Sequence, residues 1–473
     1  MSNQNRTHQE IYNRVREIGR DQFILEEMIR YGFWPAEGEI PEDPADEIRR
    51  MGEIYREIEQ LRQESSRLRN EKALQKQMLK ERLQESRRKQ QETKERREKE
   101  RLERAAAWQQ QKQQDIAYLG EGVSGGLNHT QGNEERLQSY GLPPCHTATD
   151  IATAMGITIG KLRFLAFNRP TSTISHYIRF KMPKKTGGER LISAPMPNLK
   201  QAQQWVLTNI LEKLAVHDAA HGFCQKRSIV TNATPHIGAD VVINFDLKDF
   251  FPSISYPRVK GLFQSWGYSE AAASIFGLLC TAADVEELEL DGKNYYVALG
   301  ERHLPQGSPA SPAITNLLCR RLDKRLNAIA TKYGFTYTRY ADDLTFSASG
   351  DNLRHICNLI KNTESIVTHE GFTINPDKTR ILRHSRQQEV TGIVVNDKLN
   401  ISKKTLKNFR ATLYQIEKDG LEGKKWGNSH NLLAAITGFA NFVTMVNPEK
   451  GLEFQQQVRQ IKQKYRPKAK YSQ

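Results

Sequence analysis

The sequence predicts an α+β fold with an α-helical N-terminal extension, and three observations lead there. VVINF at 241–245 is a short, largely apolar run of strand type. YTRYADDLTFS at 337–347 reads as two strands joined by a tight turn. LKQAQQWVLTNILEKL at 199–214 has helical composition and apolar recurrence, whereas the chain before about residue 140 is dominated by charged helical patterns.

With 473 residues the chain exceeds one ordinary domain and can bury a substantial core. Its 70 Lys and Arg against 55 Asp and Glu leave a formal charge of +15. That excess suits a polyanionic partner, because counterion release drives such binding, but charge alone does not separate DNA, RNA and acidic membranes. Cys145, Cys224, Cys280, Cys319 and Cys357 are scattered without a CxxC pair, which speaks against a zinc or thiol-exchange centre and for reduced thiols. The opening MSNQNRTHQE lacks the apolar core of a signal peptide, and no apolar run is long enough to cross a bilayer. The expectation is a cytoplasmic protein without membrane insertion.

Residues 1–40 form the first segment, a small helical unit. Ile11, Val15 and Ile18 have helical spacing, Phe23, Ile24, Met28 and Ile29 follow, and PAEGEIPEDPAD then interrupts the pattern. The second segment, 41–140, holds a long charged helix from Met51 to about Gln114. Ile54, Ile58 and Leu61 begin an apolar stripe that Leu68, Leu74, Met78, Leu79 and Leu83 extend irregularly. No aliphatic or aromatic residue lies between Gln84 and Arg101, so a coiled-coil seam is not sustained. A solvated spacer helix and one that docks on RNA or a partner protein both remain open. GEGVSGGLNHTQGNEE, around 120–136, reads as a flexible or irregular junction.

From 141 to 395 the pattern is mixed. HYIRFKMP and the returning ERLISAP suggest a basic hairpin, on which Arg190 either faces a phosphate or decorates an ordinary surface. Trp205 reads as a core anchor. Asp246 stands at the polar exit of the VVINF strand, and Asp249 at the start of a turn or helix where a carboxylate caps backbone N–H groups. Asp342 and Asp343 are expected at an exposed hairpin tip. Adjacent carboxylates repel, so they call for a cation, a proton or screening. A divalent metal answers that need and suits phosphoryl transfer, with Asp246 and Asp342 as shared ligands and direct ligation by Asp343 left open. Carboxylate and phosphate oxygens together favour Mg²⁺. From 396 to 473, SKKTLKNFRATLYQIEKDG and NLLAAITGFANFVTMV read as helices, followed by a basic tail.

FDLKDFFPSI, LPQGSPASPAITNL and TRYADDLTFS, in that order, resemble successive motifs of a reverse transcriptase palm, over roughly residues 175–445. Among reverse transcriptases the chain most resembles the bacterial retron group. NATPH at Asn232–His236 resembles that group's NAxxH segment, and VTG at Val390–Gly392 its characteristic later motif. The resemblance implies a right-hand polymerase fold, with fingers and palm interleaved over 141–395 and a helical thumb and basic tail over 396–473. It implies an RNA-directed DNA polymerase with Asp246, Asp342 and Asp343 as metal-binding catalytic residues and Lys378 beside the triphosphate. Arg190, Phe251, Gln306 and Gly307 would contact the nucleotide, Phe251 as a floor under the sugar that excludes a ribose 2′-OH. Asn232, His236, Val390, Thr391 and Gly392 would contact RNA.

The partners so implied are a structured noncoding RNA serving as template and primer, dNTPs, and an RNA-linked single-stranded DNA product begun at the 2′-OH of a branching guanosine. Antiphage defence with an associated effector protein is implied as well. The long N-terminal extension departs from the minimal family pattern, with effector binding, RNA gripping and self-association through its helices all open. No Cys/His cluster after 445 supports an intron maturase's nuclease. The competing accounts are a non-retron defence or intron-related reverse transcriptase and a catalytically inactive RNA-binding scaffold.

Overall fold

A computed structural model describes residues 7–18, 20–33, 57, 61–62, 64–65, 72–183, 187–429 and 431–465. The chain forms two compact units, one from the described residues up to Thr130 with Cys145–Asn168, the other from Gln131–Pro144 with Arg169 onward.

The first unit is helical. His8–Ile18 and Arg20–Arg30 realise the amphipathic N-terminal pattern, and Lys72–Gln114 is one continuous helix. Ile54, Ile58 and Leu68 of the expected stripe lie outside the described residues. Met78, Leu79 and Leu83 are exposed, as the broken seam predicts. The helix is supported by pairs one turn apart, such as Lys89 with Glu85 at 3.0 Å and Arg88 with Glu92 at 3.4 Å. Between residues 120 and 130 the chain is irregular but anchored. Ser124 Oγ donates to the Gly120 carbonyl at 2.6 Å, and Val123 and Leu127 are buried. No helix among the described residues is long and apolar enough to cross a membrane.

The second unit is mixed α and β. Its strands are β1 (Thr171–Ser172), β2 (Tyr177–Pro183), β3 (Glu189–Pro195), β4 (Val241–Leu247), β5 (Ala282–Leu290), β6 (Lys293–His303), β7 (Thr336–Tyr340), β8 (Asp343–Ala348), β9 (Ile374–Arg383), β10 (Glu389–Val390) and β11 (Ile393–Val394). The order β7-β8-β4-β9 makes a four-stranded antiparallel sheet. VVINFDL lies at its centre because nearly every one of its residues is buried, which an edge strand does not allow. Strands β2 and β3 pair as the expected hairpin, and β1-β6-β5 form a separate sheet. Trp205 is half-buried, its ring stacked on Phe276 at 6.4 Å.

The helices Lys403–Asp419, Leu432–Val446 and Pro448–Lys464 close the unit. Pro448 starts the last of them because its missing N–H is tolerated in a first turn, and Asn447 caps that turn by accepting from Lys450 N at 3.2 Å. Phe409, Leu413, Ile436, Val443, Phe454 and Val458 share one core with Val390 and Ile393 of the β10–β11 hairpin. The basic tail beyond 465 lies outside the described residues.

Candidate active site

The three candidate carboxylates come together at one end of the four-stranded sheet. Asp246, near the end of β4, stands directly opposite Asp343 of β8 and, past a bulge, opposite Asn375 of β9. The hairpin between β7 and β8 turns through Ala341, which has a left-handed φ of +57°, and Asp342. Leu247 N donates to the Asp342 carbonyl at 3.0 Å and ties this turn to the end of β4.

The turn is not the exposed tip that the motif predicts. Ala341 is buried, with Gly222 pressed against it, and both aspartates are half-buried. A Cβ on Gly222 would sit 2.6 Å from the Ala341 nitrogen, so only glycine permits this approach. The electrostatic consequence is direct. Burial, then the neighbouring Asp246, raises the Asp342 carboxyl above its ordinary range. Burial, Asp342 and Asp246 together push Asp343 up to about 7.

Lys378 lies in the cluster, with Nζ donating to Asp246 Oδ1 at 2.9 Å and Oδ2 at 3.1 Å. Asn375 Nδ2 adds a third contact to Asp246 at 3.3 Å. Its hydrogen bond to Asp246 raises the Lys378 pKa, so the ammonium stays charged.

A cleft of about 890 Å³ opens beside these groups, lined by Asp246, Asp342, Lys378, Arg190, Phe251 and Gln306 among others. Phe250 is buried against Phe372, whereas Phe251 is half-buried and lines the cleft. Arg190 is exposed on β3, and its charge acts on Asp342. The Gln306 carbonyl accepts from Ser193 N at 2.7 Å. Gly307 follows at φ +119°, where a Cβ would meet the Ser193 oxygen at 2.8 Å. Asp249 also lines the cleft, in a left-handed turn at φ +46°, while the next helix begins only at Tyr256. It therefore stands in a turn, one of the two settings the sequence suggests, and not at a helix start.

The residues expected to touch RNA divide in two. Asn232, His236 and Val390 are fully buried, and their side chains present nothing to a ligand in this structure. His236 bridges the hairpin strands, Nδ1 to Ser347 Oγ at 2.6 Å and Nε2 to Thr338 Oγ1 at 2.8 Å. Direct RNA contact by these three side chains is thus replaced by a supporting role. Thr391 is half-buried with a left-handed φ of +48°, and Gly392 is exposed, so this turn remains accessible.

Two groups escaped the sequence reading. Asn375 precedes Lys378 in INPDK and carries no distinctive local signal. Arg339, in TRYADD, is fully buried against Asp323, with Nε to Oδ1 and Nη2 to Oδ2 both 2.7 Å. An arginine inside a short β pattern is a hint of such a pairing, but nothing local names its partner.

Among the described residues no group of three His, Cys, Asp or Glu side chains is already arranged around a metal position. The donor chemistry nonetheless fits a hard divalent cation. Three carboxylates meet, two are held above their ordinary range by burial and mutual charge, and Asp246 draws in an ammonium.

The profile of the family described as reverse transcriptase (RNA-dependent DNA polymerase) matches residues 182–395. Retron Mx162 reverse transcriptase of Myxococcus xanthus is 43% identical over 342 residues, covering 69% of this chain and 70% of that protein. Retron Mx65 reverse transcriptase of the same organism is 41% identical, covering 67% and 72%. Retron Ec86 reverse transcriptase of Escherichia coli is 36% identical, covering 60% and 82%. With the carboxylates of β4 and the β7–β8 turn brought together beside a cleft, these likenesses show that the chain belongs to the retron reverse transcriptases and is an RNA-directed DNA polymerase.

Proposed function

We propose that Asp246, Asp342 and Asp343 form the polymerisation centre, with Asp246 and Asp342 as the shared Mg²⁺ ligands. The convergence of these three carboxylates from β4 and the β7–β8 turn carries the reading. In it the β7-β8-β4-β9 sheet is the palm, the β2–β3 hairpin belongs to the fingers, and the three C-terminal helices are the thumb. A divalent cation held there would lower the pKa of the primer hydroxyl and neutralise charge on the triphosphate.

The protein's own groups supply the rest. Lys378 holds Asp246 in place and is positioned to meet the triphosphate's charge in the same cleft. Arg190 binds a phosphate from the β3 side. Phe251 floors the sugar and excludes a 2′-OH, while Gln306 lines the nucleotide's surroundings and Gly307 lets its loop lie against β3. Thr391 and Gly392 form the accessible turn for the RNA. A structured noncoding RNA serves as template and primer, and the product is RNA-linked single-stranded DNA made from dNTPs. Defence in concert with an effector protein is the corresponding cellular role.

The direct test is Asp342→Asn in the purified protein. Primer extension is expected to fall at least about 100-fold, because a charge aimed at the reacting centre is lost, while RNA binding is retained. Undiminished extension by this variant would remove the assignment. Sequencing of nucleic acid that copurifies with the wild-type protein tests the product, and a branched RNA–DNA junction is the expected species.

A further inference from the structure

Behind the catalytic turn lies a buried polar network that the proposed chemistry does not itself use. We infer that Arg339, held by Asp323, is a positioning residue that sets the orientation of the Ala341–Asp342 turn. The inference rests on the proposed role of Asp342 and deepens it.

Arg339 and Asp323 are both fully buried, and their two-pronged pairing occupies Nε and Nη2. Tyr337 Oη donates to the same Asp323 Oδ1 at 2.9 Å. The remaining nitrogen, Nη1, donates to Asn316 Oδ1 at 2.9 Å and to the Ala341 carbonyl at 3.1 Å. Asn316 in turn donates from Nδ2 to the Gly222 carbonyl at 2.8 Å, and Gly222 is the residue pressed against Ala341. The Arg339 backbone is fastened to this same loop, its N–H donating to Ala219 O and its carbonyl accepting from His221 N, both at 2.7 Å.

The network therefore reaches the turn from two directions. Arg339 holds the Ala341 carbonyl and Leu247 N holds the Asp342 carbonyl, so two consecutive carbonyls are fastened and little freedom remains for the Asp342 backbone. Ala341 needs such fastening, since its left-handed φ of +57° is a conformation that a non-glycine residue holds only when its surroundings impose it.

Stability alone is a poor account of the arrangement. A buried ion pair is commonly matched or bettered by apolar residues of similar volume, because desolvating two charges offsets most of their attraction. What apolar residues do not supply is a planar fork that engages a carboxylate and, from its free nitrogen, an amide and a main-chain carbonyl.

The test separates the two roles. In Arg339→Met with Asp323→Leu the charges leave together, so no charge is stranded. Thermal melting is expected to remain cooperative and near that of the wild type. In primer extension on an RNA template with a DNA primer, kcat is expected to fall on the order of 100-fold, as for a small misplacement of a reacting group. KM for dNTP is expected to stay within about threefold, because the nucleotide contacts are untouched. Wild-type kcat in this folded double variant overturns the inference.

Should the double variant fail to melt cooperatively, Arg339→Lys decides. It keeps a positive charge beside Asp323 but loses the fork that reaches the Ala341 carbonyl, so reduced kcat with unchanged melting supports positioning, and unchanged kcat overturns it. Asp342→Asn runs alongside. If that variant extends primers normally, the site assignment itself fails, whatever the Arg339 variants do.

Discussion

Asp343 shows how a single side chain reports on its site. Its carboxyl is raised from 3.8 to about 7, so between those values the folded protein holds a proton that the unfolded chain has released. Stability contributed by this group therefore declines as pH rises through that window, and above pH 7 the neighbouring carboxylates carry their full repulsion. A cation reverses the repulsion but competes with the proton below pH 7. Mg²⁺ is accordingly expected to raise the melting temperature more at pH 8 than at pH 6, and Asp343→Asn to abolish most of that difference. Equal stabilisation at both pH values in the wild type would contradict the coupling. The chemical identity of this residue was legible in ADD; its displaced pKa was not, because its burial and the nearby charge of Asp246 arise only when distant segments fold together.

Among the elements, the helix Lys403–Asp419 shows most plainly how pattern becomes surface. Leu406, Phe409, Leu413 and Ile416 are buried, while Lys403, Lys407 and Arg410 are exposed along the other side, with Tyr414 beyond them. In the proposed function this face would meet an RNA duplex through phosphate charge and shape. Replacing the three basic residues by alanine is expected to weaken RNA binding and make its dependence on log salt shallower by about 2–3. Titrations at several salt concentrations measure that slope, and an unchanged slope would show that this face does not meet phosphate. The β7–β8 hairpin carries a different lesson. Its two strands and tight turn were legible from alternation and turn chemistry, yet the turn lies half-buried rather than exposed. Alternation describes which residues share a face of a strand and says nothing of what packs over the end of the hairpin.

For the whole molecule, His236 sets a pH term in stability. Burial drops its pKa from 6.5 to about 3, so the ring stays neutral between Ser347 and Thr338. As pH falls below 6.5 the unfolded chain gains this proton and the folded one does not, so the stability present above 6.5 is lost down to about 3. The contribution is about 1.4 kcal/mol per pH unit within that window. Denaturant unfolding between pH 7.5 and 4.5 is expected to show this slope, and His236→Gln to flatten it by roughly one proton's worth. An identical slope in the variant would mean that other groups carry the acid sensitivity.

The sequence by itself determined the chemistry available to this protein: the three candidate carboxylates, the glycine and glutamine of LPQGSP, the strand and turn around ADD, and the basic C-terminal helix. These features are written in neighbouring residues, whose spacing and turn preferences act locally. The tertiary structure alone decided that Lys378 grips Asp246, that Asp323 pairs with Arg339, and that Asn232 and His236 support the fold from within. Those outcomes depend on strand register and on which surfaces become buried. Both arise from packing between segments far apart in the chain, where no local pattern specifies a partner.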